Sequence, residues 1–319
     1  MPHWIQVRNK NKSPKALAWH DFSLCRKKMK LKGTITDVPG IRVGHWSENQ
    51  ALTGCTVILL PPGTRGGVDT GSCATATRET DVLEPHSRID EVHALVFTGG
   101  SAYGLDSAGG VMRFLEKRGI GHKTSCGIVP IVPAAAIYDL ATGNPAIRPG
   151  VREGEIAAEN ASKNFETGRV GAGTGATCGK LQGIKNAVPA GIGTASIKYG
   201  KVIVGALAVV NPVGNIIDEQ GKIILGTPSS KFKFKPFPQN TVLVAVATNC
   251  KLDKLQCFQT AMKIRDGITR SINPAHTKHD GDAGFFFSCG NVKVDLDIIF
   301  NLTVEVTASA IRSTARFSL

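Results

Sequence analysis

Gln239-Asn240-Thr241-Val242-Leu243-Val244-Ala245-Val246-Ala247 joins two segments of opposite character. Residues 242–247 are all apolar and half of them are valine, which predicts a short strand buried on both faces. Upstream, residues 226–239 read Gly-Thr-Pro-Ser-Ser-Lys-Phe-Lys-Phe-Lys-Pro-Phe-Pro-Gln, a Pro-, Lys- and Ser-rich stretch that predicts an exposed loop. Asn240-Thr241 is the junction. Taken alone, a threonine there is an ordinary loop-to-strand boundary residue. A hydroxyl set between a loop and a core strand is nevertheless an unusual arrangement.

Outward from this junction the chain alternates strands and helices. Residues 56–60 and 92–97 read as buried strands, and 101–117 as a helix entered through Gly99-Gly100. Residues 151–165 read as a second helix, with Glu153 and Glu155 in its first turn and Lys163 near its end, complementing the dipole. Residues 201–210 and 223–225 read as strands joined through a turn at Asp218-Glu-Gln-Gly221. A helix is predicted over 254–270 and a short strand over 285–288; residues 296–312 are ambiguous between strand and helix at their start. Such alternation specifies α/β or α+β layers.

The 319 residues suffice for one large domain or two ordinary ones, and an apolar content of 42% allows a sizeable core. The net charge of +13 is concentrated at the start. Residues 1–32 carry nine Lys/Arg and one acid, Asp21, leaving +5 for the rest. A basic head on a near-ordinary body argues against a nucleic-acid surface, and no nucleic-acid-binding signature is present. The head lacks the uninterrupted apolar region of a signal peptide, and Met29 offers a second start, so residues 1–32 read as a disordered or overextended leader. No run of 18 apolar residues predicts a membrane span. The eight cysteines form no Cys-x-x-Cys pair and read as small buried hydrophobes of a reducing, cytoplasmic protein.

Several glycine-rich stretches imitate known sites. Gly171-Ala-Gly173-Thr-Gly175-Ala176 matches a relaxed dinucleotide fingerprint but follows a predicted helix instead of a strand. Gly179-Lys180 resembles the end of a phosphate loop, yet Thr174 stands where its first glycine belongs and Leu181 replaces the Ser/Thr. Asp280-Gly-Asp282 resembles a calcium loop, but Gly284 occupies a ligand position. Gly100-Ser-Ala-Tyr-Gly lacks the central serine of a nucleophile elbow.

Seven stretches, in order, carry a resemblance: Thr36-Asp-Val-Pro-Gly-Ile-Arg-Val-Gly-His45, Thr98-Gly-Gly-Ser-Ala-Tyr-Gly-Leu105, Ala136-Ile-Tyr-Asp139, Gly171-Ala-Gly-Thr-Gly175 with Gly179-Lys180, Val210-Asn-Pro-Val-Gly214, Gln239-Asn-Thr-Val-Leu243 running to Thr248-Asn249, and His276-Thr-Lys-His-Asp-Gly-Asp282. Together they resemble the L-aminopeptidase/D-esterase family, which includes the β-aminopeptidases and nylon-oligomer hydrolases. The likeness covers residues 33–319, one self-processing domain.

The resemblance implies a four-layer αββα sandwich of the aminopeptidase/ornithine-acetyltransferase-like type. It implies a chain that cuts itself between Asn240 and Thr241 into pieces 33–240 and 241–319 and then uses Thr241 as an N-terminal nucleophile on small peptides or amides. A freed α-amine, with a pKa of about 7.7–8.0, can serve as the base for its own hydroxyl. Lys180 is expected to lower the nucleophile's proton affinity or stabilise negative charge, and Asn211 to donate toward the oxyanion. Tyr138 is expected to line the substrate pocket, and Asp280 and Asp282 to hold the new ammonium or orient its neighbours. Asn240 and Asp280 lean toward the nylon-hydrolase side of the family. No metal or organic cofactor is implied; a homo-oligomer of cleaved protomers is. Two rivals are an acyltransferase of the ornithine-acetyltransferase type and a non-cleaving binding protein on the same fold.

Overall fold

The computed structural model describes residues 31, 33–228 and 236–317. The basic head apart from Leu31, with the alternative start at Met29, and residues 229–235 of the predicted loop lie outside the described residues.

Ten strands build two five-stranded sheets: β1 (Arg42–Glu48), β2 (Thr53–Leu59), β3 (Arg65–Asp69), β4 (Thr77–Arg78), β5 (Ala94–Thr98), β6 (Ala134–Ala136), β7 (Gly191–Tyr199), β8 (Val202–Asn211), β9 (Thr241–Cys250) and β10 (Ala283–Val292). One sheet runs β1-β2-β5-β6-β4 and the other β7-β8-β9-β10-β3. The predicted apolar segment 242–247 is the middle of β9, the central strand of the second sheet. Neighbours on both sides and layers on both faces explain its unbroken hydrophobicity.

Alternation along each strand sorts side chains between two cores. Ile58, Leu95 and Phe97 of the first sheet meet Leu207, Leu243, Ala245, Phe285 and Phe287 of the second. Phe97 and Phe285 face each other with ring centroids 5.8 Å apart. On the opposite face of the first sheet, Cys55, Val57, Ala94 and Val96 receive Val111 and Phe114 of helix α1 (Ser107–Glu116) and Ala157 of α2 (Val151–Glu159). Helices α3 (Lys254–Thr269) and α4 (Leu296–Ser313) cover the outer face of the second sheet. The close approach shows at Gly193 of β7, where an added Cβ would stand 2.0 Å from the Ala310 carbonyl oxygen of α4. The layers are therefore α, β, β, α, as the resemblance implied.

Local chemistry sets the helix limits. Asp253 caps α3 by accepting from Gln256 N at 2.8 Å, while Gln256 Oε1 accepts from Asp253 N at 3.0 Å. Asp295 caps α4 by accepting from Asp297 N. The ambiguous segment 296–312 is thus helix; Ile299, Leu302, Val306 and Ala310, three or four residues apart, are buried along it.

Three expectations need correction. The helix predicted over 151–165 ends at Glu159. Beyond it, Ser162 exchanges two backbone hydrogen bonds with Val43 on edge strand β1, so edge pairing overrides the helical pattern of residues 160–165. The turn at residues 218–221 joins Asn215–Ile217 to Ile223–Leu225, not residues 201–210, because β8 ends in the Asn211-Pro212 turn and a separate small sheet follows. Cys73 and Cys126 are exposed, whereas Cys55, Cys178, Cys250 and Cys257 are buried. Among the described residues no helix is long and apolar enough to cross a membrane.

Phe285 is fully buried and joins the two sheets through Phe97. Phe285→Ala is expected to destabilise the fold by about 3–5 kcal/mol, read from the shift in a urea unfolding midpoint.

Candidate active site

Strand direction gathers the predicted residues. β9 runs antiparallel to β8 and parallel to β10. The last residue of β8 therefore lies at the same sheet edge as the first residue of β9 and the entry to β10. Register pairs Asn211 with Thr241, and a parallel bridge pairs Asn240 with Asp280. Lys180, Asn211, Asn240, Thr241, Asp280 and Asp282 all sit within this cluster, each 1–4% exposed. Of the two acids that a calcium reading would use, Asp282 binds the start of β9 and Asp280 binds Thr277 and the turn after β8.

The Asn240–Thr241 bond is clasped from two sides. Thr241 Oγ1 donates to the Asn240 carbonyl oxygen at 2.5 Å, and Gly281 N donates to the same oxygen at 2.8 Å. Asn240 N donates to the His279 carbonyl at 3.0 Å. The Asn240 amide group donates to the carbonyls of Phe237, at 2.6 Å, and His279, at 3.2 Å. Gly281 was given no role by the sequence. Its position between two acids was the available signal, and the need for glycine is steric. A Cβ there would lie 2.1 Å from the Ala74 carbonyl oxygen and 3.1 Å from Thr241 Oγ1.

Lys180 Nζ donates to Asn211 Oδ1 at 2.8 Å and to the Asn211 carbonyl at 3.0 Å. Its loop is stitched to the turn after β8 by Gly179 N to Gly214 O and Lys180 N to Val213 O. Burial pushes its amine down to about 7, against the opposing pull of Cys178 and Asp280. Asn211 Oδ1 also accepts from Thr177 N at 3.0 Å, and Asn211 Nδ2 donates one hydrogen to the Tyr138 carbonyl at 3.1 Å, leaving its second hydrogen for another acceptor. Tyr138 is half-buried, its ring 6.1 Å from that of Phe237, so residues just upstream of the junction cover it.

The two acids are held differently. Asp280 Oδ2 accepts from Thr277 N and Oγ1, at 2.9 and 2.6 Å, and Oδ1 from Val213 N at 3.2 Å. Burial, then the charge of Asp282, raises its proton affinity despite these bonds. Asp282 Oδ1 accepts from Val242 N at 2.8 Å, and Oδ2 lies 2.7 Å from His276 Nδ1.

Other stretches that suggested the resemblance have structural work. Asp139 accepts from Thr53 Oγ1 and Gly100 N, both at 2.7 Å, locking two motifs together beside Tyr138. Gly171 begins a turn at φ +53°, and Gly171 N and Ala172 N donate to Ser47 Oγ and Thr56 Oγ1. Those glycine-loop amides are spent inside the protein. His45 bonds Thr56 Oγ1 and the Glu166 carbonyl, and burial drives it down to about 4 against the latter bond. A cavity of about 790 Å³ opens near His45 and Glu166 and shares no residue with the cluster.

The layered fold is that of the L-aminopeptidase D-Ala-esterase/amidase of Ochrobactrum anthropi, described as a variant of the Ntn hydrolase fold. The match has a TM-score of 0.69 at 20% identity and covers 90% of this chain and 88% of that one. Residues 33–315 match the model of peptidase family S58, and the chain belongs to that family of hydrolases. It is 40% identical to an uncharacterized aminopeptidase of Mycobacterium bovis, over 82% of this chain and 83% of the relative. It is 30% identical to the 6-aminohexanoate-oligomer endohydrolase of Paenarthrobacter ureafaciens, over 78% of this chain and 73% of the relative.

Gly281→Ala must push the Ala74 backbone or Thr241 aside. It is expected to cost about 1–3 kcal/mol, measured by thermal denaturation against wild type.

Proposed function

We propose that this peptidase is an aminopeptidase or amidase that cuts its own Asn240–Thr241 bond and then hydrolyses small peptides or amides through an acyl-enzyme on Thr241. The observation that carries the reading is the double clasp on the Asn240 carbonyl: the Thr241 hydroxyl at 2.5 Å and the Gly281 amide at 2.8 Å. The hydroxyl is folded back on the carbonyl it would attack, and Gly281 N–H is aimed where negative charge would develop.

In the intact chain the Thr241 nitrogen is an amide and cannot act as a base. Lys180 is suited to that step. A neutral amine that donates two hydrogens to Asn211 retains one lone pair, and with its pKa near 7 a large share of Lys180 is neutral at physiological pH. This assigns Lys180 to taking the hydroxyl proton, in place of the purely electrostatic role expected from sequence. Thr241 Oγ1 bonds to the Asn240 carbonyl carbon, the C–N bond breaks, and the nitrogen takes up a proton to become the α-amine. Water then cleaves the ester, releasing the Asn240 carboxylate and restoring the hydroxyl.

In turnover the α-amine serves as the base, a substrate acyl group takes the place of the Asn240 acyl group, and the substrate's amine leaves protonated. Gly281 N and the second Asn211 Nδ2 hydrogen are the oxyanion donors of this scheme. The upstream segment over Tyr138 occupies the region proposed for substrate. The new ends hold together because β9 lies between β8 and β10. For location and assembly we propose a cytoplasmic homo-oligomer of cleaved protomers, tested by fractionation and light scattering.

Mass spectrometry of the purified protein is expected to show two chains, the smaller being the 79 residues from Thr241 to Leu319. Thr241→Ala should give one chain and no amide hydrolysis; turnover by an uncut chain would refute the scheme. Self-cleavage should accelerate as pH rises through about 7, the value to which Lys180 is depressed, and level off above it. Followed by a denaturing-gel time course of newly translated chain, Lys180→Met should slow the cut by about a hundredfold or more.

A further inference from the structure

The motif ending in Asp280-Gly-Asp282 begins with His276, a residue the scheme above leaves without a role. Its ring lies between a backbone carbonyl oxygen and a carboxyl oxygen. Nε2 is 3.3 Å from the Arg265 carbonyl oxygen, which carries no proton, so Nε2 is the donor. Nδ1 is 2.7 Å from Asp282 Oδ2, an ion-pair distance, although the contact is not a straight hydrogen bond. A bare nitrogen that close to a carboxylate oxygen would set two lone pairs against each other. We propose that His276 is an imidazolium that pairs with Asp282 and aims that residue's other oxygen at the head of β9, making His276 a positioning residue for the nucleophile.

The chain of contacts is short. Asp282 Oδ1 accepts from Val242 N at 2.8 Å, and Val242 directly follows Thr241. His276 thus acts on the nucleophile through one carboxylate and one backbone amide. The backbone is bent to put the ring there: His276 has φ +51°, a left-handed conformation uncommon away from glycine.

The surroundings favour the charged ring. Burial alone would lower its proton affinity, but the close contact with Asp282 and that group's charge outweigh burial and raise it above the ordinary histidine value. The Arg265 side chain from α3 opposes this, yet its guanidinium is bound in two places by Asp69 of β3, at 2.7 and 3.0 Å. From the β10 approach the facing groups are Asp282 and, through it, Asp280. The stability this imidazolium contributes is fully present below the unfolded histidine value, about pH 6.5, and is lost as pH rises through the raised folded value.

The functional half of this proposal rests on Thr241 as nucleophile; the protonation half does not. The test therefore has two arms. In ¹⁵N-histidine-labelled Thr241→Ala protein, the ring signals of His276 are those that vanish on adding His276→Gln. Both nitrogens should be protonated at about pH 6, with a midpoint above 6.5 that falls by about one unit in Asp282→Asn. An unprotonated Nδ1, or a midpoint that ignores Asp282→Asn, overturns the proposal whatever the nucleophile is. In the second arm, His276→Gln in cleaved enzyme should lower kcat about tenfold, leave KM within about twofold, and change the alkaline limb of the kcat profile. An unchanged kcat and pH profile overturns the positioning role. Activity persisting in Thr241→Ala would remove the nucleophile assignment alone and leave the first arm's result standing.

Discussion

The parallel pairing of β9 with β10, beside the antiparallel pairing of β9 with β8, is the constraint on which the site depends. Strand polarity puts the end of β8 and the beginnings of β9 and β10 at one sheet edge. Register then sets Thr241 opposite Asn211 and Asn240 opposite Asp280. A slip of one residue would turn Leu243, Ala245 and Ala247 out of the core between the sheets, so the register is fixed by the same burial that stabilises the fold. The juxtaposition of these residues is a by-product of packing the two sheets.

Burial also gives the site its electrostatics. Lys180, Asn211, Asp280 and Asp282 are almost wholly removed from water, so small differences in partner decide protonation. Lys180 has neutral donors and acceptors at hydrogen-bond distance and no carboxylate, and its amine is depressed to about 7. Asp282 has an imidazole at 2.7 Å, whereas Asp280 has only neutral donors, and burial with the charge of Asp282 raises the proton affinity of Asp280. Gly281 between them presents its amide to the Asn240 carbonyl, a geometry that no side chain at that position would tolerate.

What could be read in advance differed by element. The strand at 242–247 was legible because an unbroken apolar run flanked by a Pro/Lys loop has few alternatives. The αββα layering and the grouping of Lys180, Asn211, Thr241, Asp280 and Asp282 came from the ordered motifs, and their contacts follow in the structure. The end of α2 at Glu159 was missed, because the pairing of Ser162 with Val43 that draws the chain off is a contact between residues far apart in sequence. Gly281 and His276 were in view as letters but without roles, since their parts depend on a backbone amide and on a left-handed turn. The glycine run at 171–175, a dinucleotide fingerprint in letters but set in the wrong context, is a buried turn whose amides donate to Ser47 and Thr56.

By itself the sequence determined the periodicities that sort residues into strands and helices, the loop-to-strand junction at Asn240-Thr241, and the order of the motifs, because these are properties of neighbours along the chain. Tertiary structure alone decided which carbonyl the Thr241 hydroxyl and the Gly281 amide share, which acid meets His276, and how far the Lys180 amine is depressed. Those outcomes turn on distances and solvent exclusion between residues up to a hundred positions apart, which no local pattern encodes.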